Sequence, residues 1–304
     1  MSGRDDLSCP EEPYRLVSRK VNPQFEANLW TRTVTIAGVS IGSGQKPVII
    51  AGPCAVESEE QTLDIARAVK EGGADMLRGG VYKPRTSPYD FQGLGEEGLE
   101  ILALAREETG LPVVSEVLDV RLVDQVGQYA DVIQVGSRSM RNFPLLVEVG
   151  KYGKPVLLKR GMAATLEEWL CAAEYIAKEG NMDIILCERG IRTFTIGEYS
   201  RFSLDLSVIK GAIDKTFLPI IVDPSHATGD PAMVPAASRA AIQFGAHGLL
   251  IEVIGQGTDR RTIKCDGHQG IRPSVFRDLT AHINGWWAMK RSEQASPDSS
   301  LRQN

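Results

Sequence analysis

The segment from Arg78 to Gly93 brings Arg78, Lys83 and Arg85 together with the hydroxyls of Thr86 and Ser87, directly after the short apolar run Asp75-Met-Leu. A loop that concentrates cations among Gly and Pro is poor core material and good phosphate-holding material. Guanidinium matches phosphate in bidentate fashion, and Lys adds a point charge. A solvated basic loop is the plainer explanation of any one such cluster. What counts against it here is that cations recur at equivalent points further along: Arg138, Lys159, Arg160, Arg189 and Arg192.

A second set of residues has a different chemistry. Cys54, His226, Glu252 and Asp266 offer thiolate, imidazole and carboxylate, a combination that suits a divalent Mn, Fe, Co or Zn ion and leaves room for a substrate oxygen. Taken singly, Cys54 reads as an inert buried thiol, His226 as a turn cap and Glu252 as the partner of an inward lysine. Only a common location turns them into a ligand set, so the elements that carry them decide the matter.

Those elements follow a rhythm. Apolar β-type runs occur at Pro47–Gly52, Asp75–Leu77, Pro112–Val117, Val132–Val135, Pro155–Leu158, Asp183–Cys187, Pro219–Val222 and Gly248–Ile254. Between them lie segments with helical period: Glu59–Glu71, Glu96–Thr109, Val120–Tyr129, Pro144–Lys151, Leu166–Lys178, Met233–Phe244 and a final Pro273–Lys290. The connection from Arg189 to Leu218 is longer, with a weak helical signal. Strands alternating with helices imply a parallel sheet, and this number of units closes as a (β/α)8 TIM barrel. An open doubly wound sheet competes, but no Gly-x-Gly-x-x-Gly turn follows the first strand. Thr31–Ile41 alternates β-branched residues around Ala37-Gly38, the pattern of an N-terminal β-hairpin extension. The expected organisation is an irregular segment 1–30, a catalytic barrel with its hairpin over 31–291, and a disordered tail 292–304 rich in Ser, Gln and Asp.

In such barrels the C-terminal ends of the strands form the active site. Read in order, those ends carry Cys54, then Arg78 with the basic loop, Glu116, Arg138, Lys159 with Arg160, Arg189, His226, and Glu252 followed by Asp266. The cations fall into one ring with the ligand set beside it. Crowded like charges cost stability unless anions neutralise them, so the ring predicts a site for at least two anionic groups and one metal. Lys159 as a Schiff-base amine of a metal-free aldolase is an alternative, since barrel lysines do this chemistry. A catalytically silent binding subunit is another.

Composition narrows the partners. The chain has 304 residues, 42% hydrophobic content and net charge −5, which argues against nucleic acid or an anionic membrane. A basic loop in an acidic protein points instead to a focused small-anion site. The five cysteines are odd in number and widely spread, a pattern of free thiols in a reducing compartment. No apolar run is long enough for a transmembrane helix. The start, Met1-Ser-Gly-Arg-Asp-Asp, is too polar for a signal or transit peptide, so a cytoplasmic location is expected.

The motifs Ala51-Gly-Pro-Cys-Ala-Val-Glu-Ser58, Lys83-Pro-Arg-Thr-Ser-Pro-Tyr-Asp-Phe-Gln-Gly93, Gly136-Ser-Arg138, Leu186-Cys-Glu-Arg-Gly190 and Asp223-Pro-Ser-His226 together carry a family resemblance. Over about residues 31–290 the chain resembles 3-deoxy-7-phosphoheptulonate (DAHP) synthase, in the branch related to 3-deoxy-octulosonate 8-phosphate synthase. The Lys-Pro-Arg-Thr segment favours the heptulonate enzyme. The resemblance implies a homo-oligomeric, metal-dependent transferase of the shikimate pathway that joins phosphoenolpyruvate to erythrose 4-phosphate. It implies a metal held by Cys54, His226, Glu252 and Asp266. Phosphoenolpyruvate would be bound by Arg78, Lys83, Arg138, Lys159 and Arg189, with Glu116 nearby, and the aldose phosphate by Arg85 and Thr86. Lys83, with a pKa lowered by neighbouring cations, would donate a proton to the new alkoxide.

Some positions depart from the family pattern. Ser-His226-Ala-Thr-Gly-Asp230, Glu252-Val-Ile254 and Arg201-Phe-Ser-Leu-Asp205 differ from the usual turns, and the path from Glu252 to Asp266 is longer. These loops could shape the second substrate, so a paralogue acting on a different or modified sugar phosphate is the alternative activity. About 45 residues precede the first barrel strand, too few for an added regulatory domain of ordinary size.

Overall fold

The eight apolar runs form one closed parallel barrel, seen in a computed structural model that describes residues 12–295 apart from 195–196 and 198–199. A two-stranded antiparallel hairpin precedes it, β1 (Val34–Ile36) and β2 (Val39–Ile41). Ala37 and Gly38 turn it with φ of 45° and 86°, the doubly left-handed geometry a tight hairpin requires. The barrel strands are β3 (Val48–Gly52), β4 (Met76–Arg78), β5 (Val113–Val117), β6 (Val132–Val135), β7 (Val156–Lys159), β8 (Ile184–Glu188), β9 (Ile220–Val222) and β10 (Gly248–Glu252). Each pairs in parallel with the next, and β10 closes on β3 with Glu252 opposite Gly52. On its other side Gly52 lies tight against β4, where a Cβ would meet the Arg78 carbonyl at 2.1 Å.

The strands are apolar on both faces because helices cover them outside. The helices are α1 (Pro23–Glu26), α2 (Glu59–Glu71), α3 (Glu96–Thr109), α4 (Val123–Tyr129), α5 (Phe143–Tyr152), α6 (Leu166–Lys178), α7 (Ser207–Lys215), α8 (Pro224–Thr228), α9 (Val234–Gln243) and α10 (Pro273–Ala295). Residues such as Ile49, Leu77, Leu158 and Ile251 point outward into the larger core beneath these helices. Ile50, Met76, Val114, Val132, Leu157, Ile185, Ile221 and Leu250 point inward and form a separate apolar cluster with Val34, Ile36 and Ile41 of the hairpin. The hairpin thus closes the barrel floor.

Strand side chains alternate faces, so the residue two beyond each inward apolar one also points inward, one layer higher. Two residues after Met76, Val114, Val132, Leu157, Ile221 and Leu250 stand Arg78, Glu116, Gln134, Lys159, Asp223 and Glu252. The switch from apolar to polar within one step of the pleat is what puts chemistry at the barrel mouth.

Three boundaries differ from the sequence expectation. Residues 12–30, expected to be irregular, include α1 and are pinned by buried Arg19, whose guanidinium donates to the carbonyls of Phe25, Asn28, Trp30, Ile213 and Thr216. The last helix runs to Ala295, so no tail begins at 292, and residues 296–304 lie outside the described part. The short helix α8 has no counterpart in the sequence periodicity, because five residues are too few to display one. No helix among the described residues is long and apolar enough to cross a membrane.

Candidate active site

Cys54, His226, Glu252 and Asp266 converge: one ligand atom from each lies within 4.8 Å of every other. Local sequence explains each placement. Asp223 caps the N-terminus of α8, accepting the His226 N–H on Oδ1 at 2.9 Å, and Pro224 fits the first helical position. Asp223 Oδ2 then takes His226 Nδ1 at 2.7 Å, which leaves Nε2 facing Glu252 Oε1 at 3.2 Å and Asp266 at 3.9 Å. This is the orientation a metal-ligating histidine needs. Glu252 ends β10, its N–H held by Ser225 Oγ at 3.0 Å.

Asp266 arrives on the long loop after β10. Arg260 pins that loop by donating to the carbonyls of Gly267, His268 and Gly270, and Arg272 does so at Gly255 and Thr258. Glu57 accepts the N–H groups of Lys264 and Cys265. Asp266 itself has φ of 50°, a left-handed conformation that Asp tolerates and that recurs at functional sites.

The donor set fits a divalent transition ion. It combines sulfur, nitrogen and two carboxylates in a mutually close group, Cys54 and Glu252 buried and His226 and Asp266 partly so. Burial drives the His226 pKa down, toward the neutral form that ligates a metal. Burial alone would raise Glu252, but His226 and Arg78 outweigh it and keep the carboxyl ionised. Cys54 keeps its proton well above the ordinary thiol range, through its hydrogen bond to Cys265 and burial. Cys265, absent from the sequence expectation, sits with its sulfur 3.3 Å from Cys54 Sγ and accepts from Arg85 at 3.0 Å.

Beside this cluster lies a cavity of about 200 Å³, whose walls include Lys83, Arg85, Thr86, Glu116, Arg138, Lys159, Arg189, His226 and Asp266. Lys83 donates to the Cys54 carbonyl at 3.1 Å and to its sulfur at 3.2 Å, which ties the basic loop to the ligand strand. Burial disfavours the charge on Lys83, yet Cys54, Cys265 and Glu116 outweigh it. Its pKa is therefore raised, the reverse of the expected lowering, because the two sulfurs and Glu116 outweigh Arg78. Glu116 is steadied by Gln134 at 3.0 Å and fits only because residue 136 is Gly; a Cβ there would lie 1.9 Å from Glu116 Oε1. Buried Arg189 stacks on the Phe202 ring, 4.1 Å from its centroid.

The cation ring is looser than its sequence suggested. Arg78 is buried on Glu252 at 2.8 Å and on the Cys54 carbonyl, and it is absent from the cavity wall. Arg160 is buried against Glu188 and Asp205 and is absent too. Arg192 lines a neighbouring cavity of about 340 Å³ with Arg138 and Arg141. Like charges therefore do not simply crowd: the protein's own carboxylates neutralise Arg78, Lys159 and Arg160.

Asp223, Gln269 and Arg201 belong to the site, though the sequence assigned a role to none of them. The signal for Asp223 was present, since Asp before Pro is a helix-cap signature. Lys159 donates to Asp223 at 2.6 Å, so its amine is held in an ion pair rather than free as the Schiff-base alternative requires.

Residues 22–290 match the DAHP synthetase I family. Phospho-2-dehydro-3-deoxyheptonate aldolase of Thermotoga maritima is 46% identical over 285 residues, covering 92% of this chain and 81% of that one. 2-Dehydro-3-deoxyphosphooctonate aldolase of Desulfatibacillum aliphaticivorans is 34% identical, covering 83% and 97%. Among solved structures, the Thermotoga maritima DAHP synthase superposes with TM-score 0.82 at 45% identity, over 93% of this chain and 78% of that one. A truncated form of 3-deoxy-D-arabino-heptulosonate 7-phosphate synthase from the same organism gives 0.78 at 41% identity, over 92% and 96%.

Proposed function

The chain belongs to the DAHP synthetase I family, and from that membership we infer that it condenses phosphoenolpyruvate with erythrose 4-phosphate and water. The products are 3-deoxy-D-arabino-heptulosonate 7-phosphate and phosphate, the entry reaction of the shikimate route to aromatic amino acids. The observation that carries this reading is the cation-lined cavity set directly against the four-ligand cluster.

Phosphoenolpyruvate presents a carboxylate and a phosphate, which we assign to Arg138, Lys159, Arg189 and Lys83, with Arg78 braced behind them on Glu252. Arg85 and Thr86, on the rim of the same cavity, take the phosphate of the aldose. A divalent ion held by Cys54, His226, Glu252 and Asp266 would supply Lewis acidity toward the aldehyde oxygen. The enol carbon attacks the aldehyde carbon, forming the new C–C bond. Lys83, charged and adjacent to the cluster, protonates the resulting alkoxide. Glu116 orients the water that adds to the carbon bearing phosphate, and the C–O bond to phosphate then breaks. Arg138 and Arg189 stabilise the charge on the departing phosphate.

The ligand set favours Mn, Fe, Co or Zn over Mg or Ca, because thiolate and imidazole are poor partners for hard ions. We assign catalysis to one unit spanning 31–291, acting in the cytoplasm as a homo-oligomer. The reading is tested by phosphate release from phosphoenolpyruvate with a panel of sugar phosphates, with and without chelator. Release that needs both erythrose 4-phosphate and a divalent ion supports it; no release with any aldose and any metal overturns it. A different or modified sugar phosphate is the second reading. Arg201 and Phe202, from a turn that departs from the family pattern, line the cavity and favour it.

A further inference from the structure

Gln269 lies on the loop after β10 and is fully buried. Its Nε2 donates to Glu252 Oε2 at 2.5 Å, and its Oε1 accepts from Arg201 Nη1 at 2.8 Å. The orientation of the amide is fixed by its partners, because a carboxylate only accepts and a guanidinium only donates. Its backbone N–H also bonds the Asp266 carbonyl at 3.1 Å. One residue thus touches Glu252 and Asp266 of the ligand cluster and the cation Arg201, which lines the cavity.

Arg201 divides its charge between two partners, Gln269 and Asp266 Oδ1, the latter at 3.3 Å. A cation at the cluster would draw on the charge of Asp266 and weaken its hold on Arg201. Gln269 keeps the guanidinium at the cavity wall when that happens, so Arg201 is presented to an anion rather than swung away. Reciprocally, an anion on Arg201 relieves Asp266 of its internal cation and improves it as a ligand. We propose that Gln269 is a positioning residue that couples cation binding at the four-ligand cluster to anion binding at Arg201. The coupling rests on the metal reading of the cluster and is independent of which aldose is used.

Mn²⁺ affinity is measured by competition with a chromophoric chelator, alone and with saturating phosphoenolpyruvate or inorganic phosphate, on the folded full chain. In the wild type the anion tightens Mn²⁺ by roughly fivefold to a hundredfold, and by linkage Mn²⁺ tightens the anion equally. In Gln269→Met the factor falls toward one, with Mn²⁺ alone weakened about tenfold, the usual cost of removing a group that supports a metal ligand. Arg201→Met abolishes the factor as well, and combining the two removes nothing more. If Gln269→Met does not fold, Arg201→Met carries the test, since its side chain is partly exposed and its loss leaves Gln269 in place. An undiminished factor in either folded variant, or no anion effect in the wild type, overturns the proposal. A wild type that binds no Mn²⁺ at all instead overturns the metal reading itself.

Discussion

Lys159 and His226 share one oxygen of Asp223, the first at 2.6 Å and the second at 2.7 Å. One carboxylate therefore sets the position of both Lys159, the proposed substrate contact, and His226, the proposed metal ligand. Burial opposes its charge, but His226 and Lys159 outweigh that and hold the Asp223 carboxyl well below its ordinary range. Asp223→Asn keeps the shape and removes the charge. Divalent metal affinity should fall about tenfold to a hundredfold, read by chelator competition. Unchanged affinity would mean that His226 is oriented by packing alone.

The same ion pair separates metal-assisted from Schiff-base chemistry. Borohydride added during turnover should leave the mass of the chain unchanged, because the Lys159 amine stays paired with Asp223. A reduced adduct that disappears in Lys159→Met would reverse this assignment.

Gly136→Ala probes the seat of Glu116. The new methyl would need the space 1.9 Å from Glu116 Oε1, so the carboxylate must move. A displacement of about 1 Å near reacting atoms costs on the order of a hundredfold in kcat, with thermal stability changed far less. A kcat within a factor of two of wild type would remove Glu116 from the reaction.

Arg160 should behave as a structural residue despite its place beside Lys159. Arg160→Met strands buried Glu188, whose pKa burial already raises, and should cost about 3–5 kcal/mol in urea unfolding. In the folded fraction, KM for phosphoenolpyruvate should be unaltered. A raised KM with normal stability would return Arg160 to the cavity.

His247 at the barrel floor gives a pH dependence of stability. Its Nε2 meets the hydroxyls of Thr31 and Ser43, and burial pushes its pKa down to about 4. The unfolded chain protonates near 6.5, so between pH 6.5 and 4 the unfolded state binds the extra proton. Stability from this group is complete above pH 6.5 and falls as pH drops toward 4, by at most about 3 kcal/mol. His247→Gln should flatten urea midpoints measured across that window; an unchanged slope would assign the acid sensitivity elsewhere.

The barrel was legible because its strands are short apolar runs punctuated by Gly and Pro, and because α2, α3 and α6 have full helical periods and recognisable caps. The site was legible where a residue ends a strand, as Lys159 and Glu252 do. Gln269 and Arg201 were hidden for a physical reason: each reaches the cluster from a long irregular loop, where no periodicity encodes direction. The sign of the Lys83 shift was hidden too. It depends on how many carboxylates and sulfurs surround the amine in space, and Cys265 joins them from 182 residues away along the chain.

The pleat of the barrel wall works as a ruler. Moving the chain by one residue within β4 or β7 would deliver Leu77 or Leu158 to the mouth in place of Arg78 or Lys159. Length above the strands is easier to accommodate, because side chains such as Arg260 and Arg272 can anchor a long loop through its carbonyls. The strands themselves have no such freedom: a single added or deleted residue there would leave a stable apolar wall and erase the chemistry it carries.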